Sequence, residues 1–371
     1  MGGGGSDAPA CDPTLSTLGK VDVPASLISV GKSVAASPGV TNPAKVVDGL
    51  YAHAGAFLPA PTVQSPAWVA IDIGNGPGRL LLSWADTGWN DFNTPIPGGS
   101  PAAYRIETSA DSSDGANGTW EISVDVPINQ VRERAHTLAF SGKRWVRMVV
   151  TAAANAASAN PGVSIDEIAV RDVTPSAADR PADTWFFMGD SITAGAFRRQ
   201  LGAGTGFDEI LHAQHPTFWP TILDGGIGGE LSTMGLAHVA DWLAVNPDVE
   251  HIAILYGTND SWGVATTASA NLTTFTANMT SIVEMMIAAG RVPILARIPY
   301  ATAAHDHLAP FNAAIDDIST RHGLPCGPDL YNWFKDHPEE LSMDGVHPSE
   351  TGYRSVNRLW ATAMSGRYPA N

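Results

Sequence analysis

The chain has 371 residues, more than one hydrophobic core usually holds, so two domains are the working count. With 44% hydrophobic and 16% charged residues, and no apolar run long enough to cross a bilayer, the composition is that of a soluble globular protein without a membrane span. A formal net charge of −16 excludes nucleic acid and anionic membrane surfaces, which need a basic face, and leaves uncharged ligands open.

Residues 1–26 open with Met1-Gly2-Gly3-Gly4-Gly5-Ser6 and read as a flexible tail, with neither the basic nor the apolar segment of a signal peptide. Their Gly/Ser/Asp/Pro-rich composition resembles the tether behind the lipidated cysteine of bacterial lipoproteins, although that cysteine is absent. The expectation is a secreted or cell-surface protein, periplasmic or extracellular. Cys11 and Cys326 are the only cysteines and have no metal-ligand spacing. Cys326, in Gly323-Leu324-Pro325-Cys326-Gly327, is expected to be a small buried hydrophobe rather than a disulfide partner of Cys11.

Residues 27–173 carry short alternating strands broken by Gly, Pro, Asn and Asp, such as Trp68–Ile73, Tyr104–Thr108, Trp120–Val124 and Trp145–Val150. That pattern predicts an all-β sandwich. Residues 174–183, with two prolines and no periodicity, predict a linker. From 184 to 371, apolar runs (Trp185–Met188, Ile252–Tyr256, Val292–Ile298) alternate with helical patterns. One helix carries Leu272, Phe275, Met279, Ile282 and Met286 up to Gly290, and the last carries Tyr353, Val356, Trp360 and Ala363. Strand and helix in alternation predict a parallel sheet covered on both faces.

Four segments of this second half carry candidate chemistry. Trp185–Met188 runs into Gly189-Asp190-Ser191, which places Ser191 where a helix opens; it is either the helix cap or a nucleophile beside unpaired N–H groups. In Asp224-Gly225-Gly226-Ile227-Gly228-Gly229, Gly226 is a candidate N–H donor, and Asn259 in Gly257-Thr258-Asn259-Asp260 offers a side-chain amide. Asp344 and His347, three apart, share a face if they lie on a helical turn. The carboxylate then orients the imidazole to take the proton of a serine.

In this order the four segments resemble the blocks of the SGNH (GDSL-like) hydrolase family, over about residues 184–368. The resemblance implies a flavodoxin-like three-layer α/β fold and ester hydrolysis through an acyl-serine. It also implies a Ser191–His347–Asp344 triad, an oxyanion hole of Ser191, Gly226 and Asn259, and no cofactor for catalysis. Asp224 departs from the asparagine that many members carry there. Activity is expected to fall on the acid side as His347 gains a proton. His305-Asp306-His307, His212 and His215 read as polar loop residues rather than metal ligands.

The β region resembles galactose-binding-like (discoidin-type) sandwiches through Gly31–Ser37, Lys45-Val46-Val47-Asp48-Gly49, Trp68–Ile73 and Ser164–Ile168. That resemblance makes Asp48 and Glu167 candidate ligands of a structural calcium. Trp84, Trp89, Phe92 and Tyr51 either stack on sugar rings or belong to the core. Three functions remain open: a carbohydrate esterase that removes acetyl groups from a polysaccharide, a general short-chain carboxylesterase or arylesterase, and a non-catalytic carbohydrate-binding protein.

Overall fold

The computed structural model describes residues 19–51, 55–87, 93–94, 96–178, 180–198, 201–262, 268–302 and 308–370. The front domain contains β1 (Ser26–Leu27), β2 (Val34–Ala36), β3 (Ala56–Pro59), β4 (Ala67–Asp72) and β5 (Arg79–Asp86). It continues through β6 (Pro101–Ser109), β7 (Glu121–Val126), β8 (Glu133–Ala139), β9 (Trp145–Ala153) and β10 (Gly162–Asp172). All its pairings are antiparallel, in two sheets: β1-β10-β5-β8, with β3 also on β10, and β2-β4-β9-β6-β7. Strand alternation sends Val69, Ile71, Leu80, Leu82, Ile106 and Met148 into one core between the sheets, as a β-sandwich requires.

Trp84 belongs to that core. Only 1% of it is exposed, and its ring meets Tyr104 edge-on at 5.3 Å, so it cannot stack on a sugar. Trp89 and Phe92 lie outside the described residues.

The second domain contains β11 (Thr184–Gly189), α1 (Ser191–Phe197), α2 (Phe207–Gln214), β12 (Thr221–Gly226), α3 (Ser232–Val245) and β13 (His251–Leu255). It ends with α4 (Ala268–Ala288), β14 (Val292–Leu295), α5 (Leu308–Arg321), α6 (Leu330–Asp336) and α7 (Glu350–Ser365). The strands are parallel in the order β12-β11-β13-β14, which is the flavodoxin-like order. One helical layer packs against Met188, Ile254 and Leu295 on one face of the sheet, the other against Phe187, Leu255 and Ile294 on the opposite face. α4 ends as its pattern predicts: Gly290 turns left-handed (φ 68°), and Arg291 N–H closes on the Met286 carbonyl. No described helix is long and apolar enough to cross a membrane.

Of the segment expected as a tail, residues 19–25 run along the second domain and Ser26 enters β1 of the sandwich. Val21 is buried in the core of the second domain, and Ala25 bridges to Phe218. Cys326 is disulfide-bonded, which corrects the expectation of a merely buried thiol; Cys11, the only other cysteine, lies outside the described residues. The linker is strapped to the sandwich by Arg79, whose guanidinium donates to the carbonyls of Ser176 (3.1 Å) and Ala178 (2.6 Å).

The sandwich grips the outer edge of the parallel sheet. Arg171 donates to the carbonyls of Trp219 and Pro220, both at 2.8 Å, just before β12. Within β12, Asp224 N–H donates to the Glu133 carboxylate at 2.8 Å. Further along, Thr137 N–H donates to Asp248 at 3.0 Å.

Candidate active site

Parallel strands of one register end at one level, and Gly189 at the end of β11 lies opposite both Gly226 and Leu255. The turns beyond these three ends therefore meet in one place. Ser191 is the first residue of α1. The helix is capped by Asp190, whose carboxylate accepts Ile192 N–H at 2.9 Å, so the serine is not the cap and its hydroxyl is free for another partner.

That partner is His347. Its Nε2 lies 2.8 Å from Ser191 Oγ, and its Nδ1 lies 2.7 Å from Asp344 Oδ2. The Asp344–His347 segment is an Asp-Gly turn before α7 rather than the helical turn expected. Asp344 Oδ1 accepts the N–H groups of Val346 and His347 at 2.9 Å each, Gly345 turns left-handed (φ 69°), and Leu341 bridges to Pro348. Desolvation would raise the Asp344 carboxyl, but hydrogen bonds from His347, Val346 and Ser342 hold it well below the usual carboxylate range. A carboxylate that stays ionised fixes Nδ1 as the protonated nitrogen and leaves Nε2 to face the serine.

Asn259 sits in the turn after β13. Its amide donates one hydrogen to the Glu230 carbonyl at 2.8 Å and has a second to give. Burial pushes the Glu230 carboxyl up to about 7, with the Tyr256 hydroxyl, 2.7 Å away, pulling the other way. Burial likewise pushes Asp190 up to about 7.

The glycine turn corrects one expected donor. Gly226 still belongs to β12, is buried, and gives its N–H to Asp224 Oδ1 at 2.8 Å. A Cβ there would come within 2.1 Å of Ala194 N, so Gly226 is glycine because α1 packs on it. Gly228 and Gly229 line the cleft instead, and Gly229 has φ 79° with open space beside it. The signal was countable: Ser191 lies two residues past the end of β11, and Gly228 lies two past the end of β12.

The cleft has a volume of about 760 Å³ and joins Ser191, His347, Asp344 and Asn259. Its rim holds Arg198, Tyr353 and Trp262, the last 59% exposed, together with Asn93 from the front domain. Sequence reasoning missed these four, because nothing local marks a residue as facing a cleft built by distant segments.

Asp48 and Glu167 adjoin a second cavity, about 550 Å³ between the domains, which Tyr51 and Trp219 also line. In this structure both carboxylates are bonded within the chain. Asp48 Oδ2 is bonded to Lys45 Nζ at 2.8 Å, its Oδ1 accepts Leu50 N–H, and Glu167 accepts Gly49 N–H at 3.3 Å. Among the described residues no group of three or more His, Cys, Asp or Glu can hold a metal. His212 Nδ1 donates to the Phe218 carbonyl and His215 Nε2 shares a hydrogen bond with Ser365 Oγ, while residues 305–307 lie outside the described ones.

Topology, turns and side chains define a serine hydrolase of the three-layer α/β kind. Residues 187–355 match the GDSL-like lipase/acylhydrolase family model, so the second domain carries a hydrolase segment of that type. Among solved structures it resembles a lipase/acylhydrolase from Enterococcus faecalis (20% identity, 51% of this chain and 98% of that one, TM-score 0.42). It also resembles a variant of an acetyl xylan esterase from Geobacillus stearothermophilus (19% identity, 51% and 97%, TM-score 0.42). No curated protein matches the chain.

Proposed function

We propose that the protein removes acetyl groups from a polysaccharide through an acyl-serine intermediate, with Ser191 as nucleophile, His347 as general base and Asp344 as its orienting carboxylate. The observation that carries this reading is the unbroken Ser191–His347–Asp344 chain of hydrogen bonds in an open cleft. His347 Nε2 takes the Ser191 proton as Oγ attacks the ester carbonyl, then returns it to the departing sugar oxygen. Water, deprotonated by the same nitrogen, releases acetate and restores the serine. The oxyanion is held by Ser191 N–H, the second Asn259 amide hydrogen and Gly229 N–H. Gly229 takes the place expected for Gly226, whose hydrogen is spent on Asp224.

Support for a sugar ester comes from the rim, where the exposed Trp262 offers a flat apolar face and Asn93 and Arg198 offer hydrogen bonds to hydroxyls. An extracellular or periplasmic location is favoured by the Cys326 disulfide, since such bonds persist in oxidising compartments. The Asp48–Glu167 loop is read as self-bonded rather than as a calcium site. Acetate release from chemically acetylated xylan, with Ser191→Ala as blank and an aryl acetate as control, tests the function. Serine-dependent release from polymer supports it; aryl acetate cleavage alone leaves a small-ester hydrolase.

A further inference from the structure

We infer that the β-sandwich is part of the catalytic unit, with Glu133 of β8 acting as a positioning residue for the glycine turn beside Ser191. β12 is the outermost strand of the parallel sheet, so the N–H groups along its free side have no strand to bond. A buried N–H without a partner is costly, and at Asp224 the partner is Glu133 Oε2, at 2.8 Å from the other domain. The same Asp224 then holds the next turn of chain, because its Oδ1 accepts Gly226 N–H at 2.8 Å. One residue on, Ile227 N–H bonds to the Gly189 carbonyl at 2.9 Å, tying the turn to the strand that carries the nucleophile. Gly228 and Gly229 follow directly and line the cleft.

The bonds form a relay: Glu133 to Asp224, Asp224 to Gly226, Ile227 to Gly189, with the cleft-lining N–H groups at its end. Upstream, Arg171 clamps the carbonyls of Trp219 and Pro220, so the segment entering the turn is held from the sandwich at both polarities. Glu133 is 7% exposed and sits at the first position of its strand, where it faces the sheet edge rather than solvent. A binding module on a tether would not need a buried carboxylate there.

This inference rests on the serine-esterase reading, and the test separates the two. In the full chain, the rate at which a fluorophosphonate modifies Ser191 reports nucleophile and oxyanion geometry without knowledge of the natural substrate. Glu133→Met fills the same volume without an acceptor and is expected to slow labelling by about ten- to a hundred-fold, the scale of a small misplacement in an active site. Glu133→Gln keeps an acceptor at the same reach and is expected to restore most of the rate. Asp248→Ala, which removes the acceptor of Thr137 N–H elsewhere in the interface, is expected to label like wild type. Equal labelling of Glu133→Met and wild type, or equal slowing in Asp248→Ala, overturns the positioning role. Should Glu133→Met not fold, Glu133→Asp, with its oxygen drawn back by one methylene, is read in the same way; a wild-type rate there overturns the inference too. A wild type labelled no faster than Ser191→Ala sinks the esterase reading and takes the inference with it.

Discussion

The two domains contain nearly the same turn, one in each. Asp48-Gly49 in the sandwich and Asp344-Gly345 in the hydrolase both place a left-handed glycine (φ 75° and 69°) after the aspartate. In both, Oδ1 accepts the N–H two residues on, from Leu50 and from Val346, at 2.9 Å. In both, Oδ2 bonds a basic side chain three residues away, Lys45 at 2.8 Å and His347 at 2.7 Å. Asp344 Oδ1 also accepts the His347 N–H and the Ser342 hydroxyl, but the difference that bears on chemistry is the basic partner, which precedes the aspartate in one turn and follows it in the other. A lysine ammonium can donate only, and Lys45 is exposed, so its bond ends there. An imidazole held at one nitrogen presents the other, and the fold puts Ser191 Oγ in front of it. On the proposed mechanism, a local motif becomes catalytic through what its last member can relay and what stands opposite.

Four substitutions and one depletion sharpen that contrast, beginning with the largest effect. Asp344→Asn should lower kcat on an aryl acetate by about 10³–10⁴, the scale of losing the orienting carboxylate of a triad. Asp48→Asn should leave kcat at wild type; an equal loss in both variants would erase the distinction drawn between the turns. Asn259→Ala should cost about 10²–10³ in kcat with the fold intact, and undiminished turnover would remove it from the oxyanion hole.

Stability should respond to pH through Glu230. Its folded value, about 7, lies above the ordinary 4.5, so its contribution is fully present below about 4.5 and is lost as pH rises through 7. The thermal midpoint of wild type should therefore fall relative to that of Glu230→Gln over this window, by a few °C. Parallel pH curves for the two proteins would show that the Glu230 carboxyl is not raised. The smallest effect belongs to chelation. With Asp48 and Glu167 bonded to Lys45 and Gly49, exhaustive treatment with a calcium chelator should leave the midpoint where it was, and a drop would install a metal at that loop.

Much of the molecule was legible in the order of its residues. Backbone periodicity is a local property, so the change from two-residue to three-and-four-residue spacing near residues 174–183 divided the chain, and the Gly290 cap ended α4 where its pattern stopped. Ser191, Asn259, Asp344 and His347 were named because each follows a strand end or precedes a helix, positions that a parallel sheet brings to one edge. Tertiary packing decided the rest. Trp84 went to the core because the facing sheet supplied Tyr104, while Trp262, the same residue type, stayed at a cleft rim. Cys326 found a disulfide that no spacing announced. Among four neighbouring glycines and one isoleucine, only the register with β11 and the carboxylates of Asp224 and Glu133 determined which N–H was spent and which faced the cleft. Sequence alone determined the elements and the chemical inventory, since both depend on near neighbours along the chain. Which N–H faces the cleft, the fate of each aromatic and the contact of one domain with the turn beside the other's cleft depend on neighbours in space, which the folded structure alone supplies.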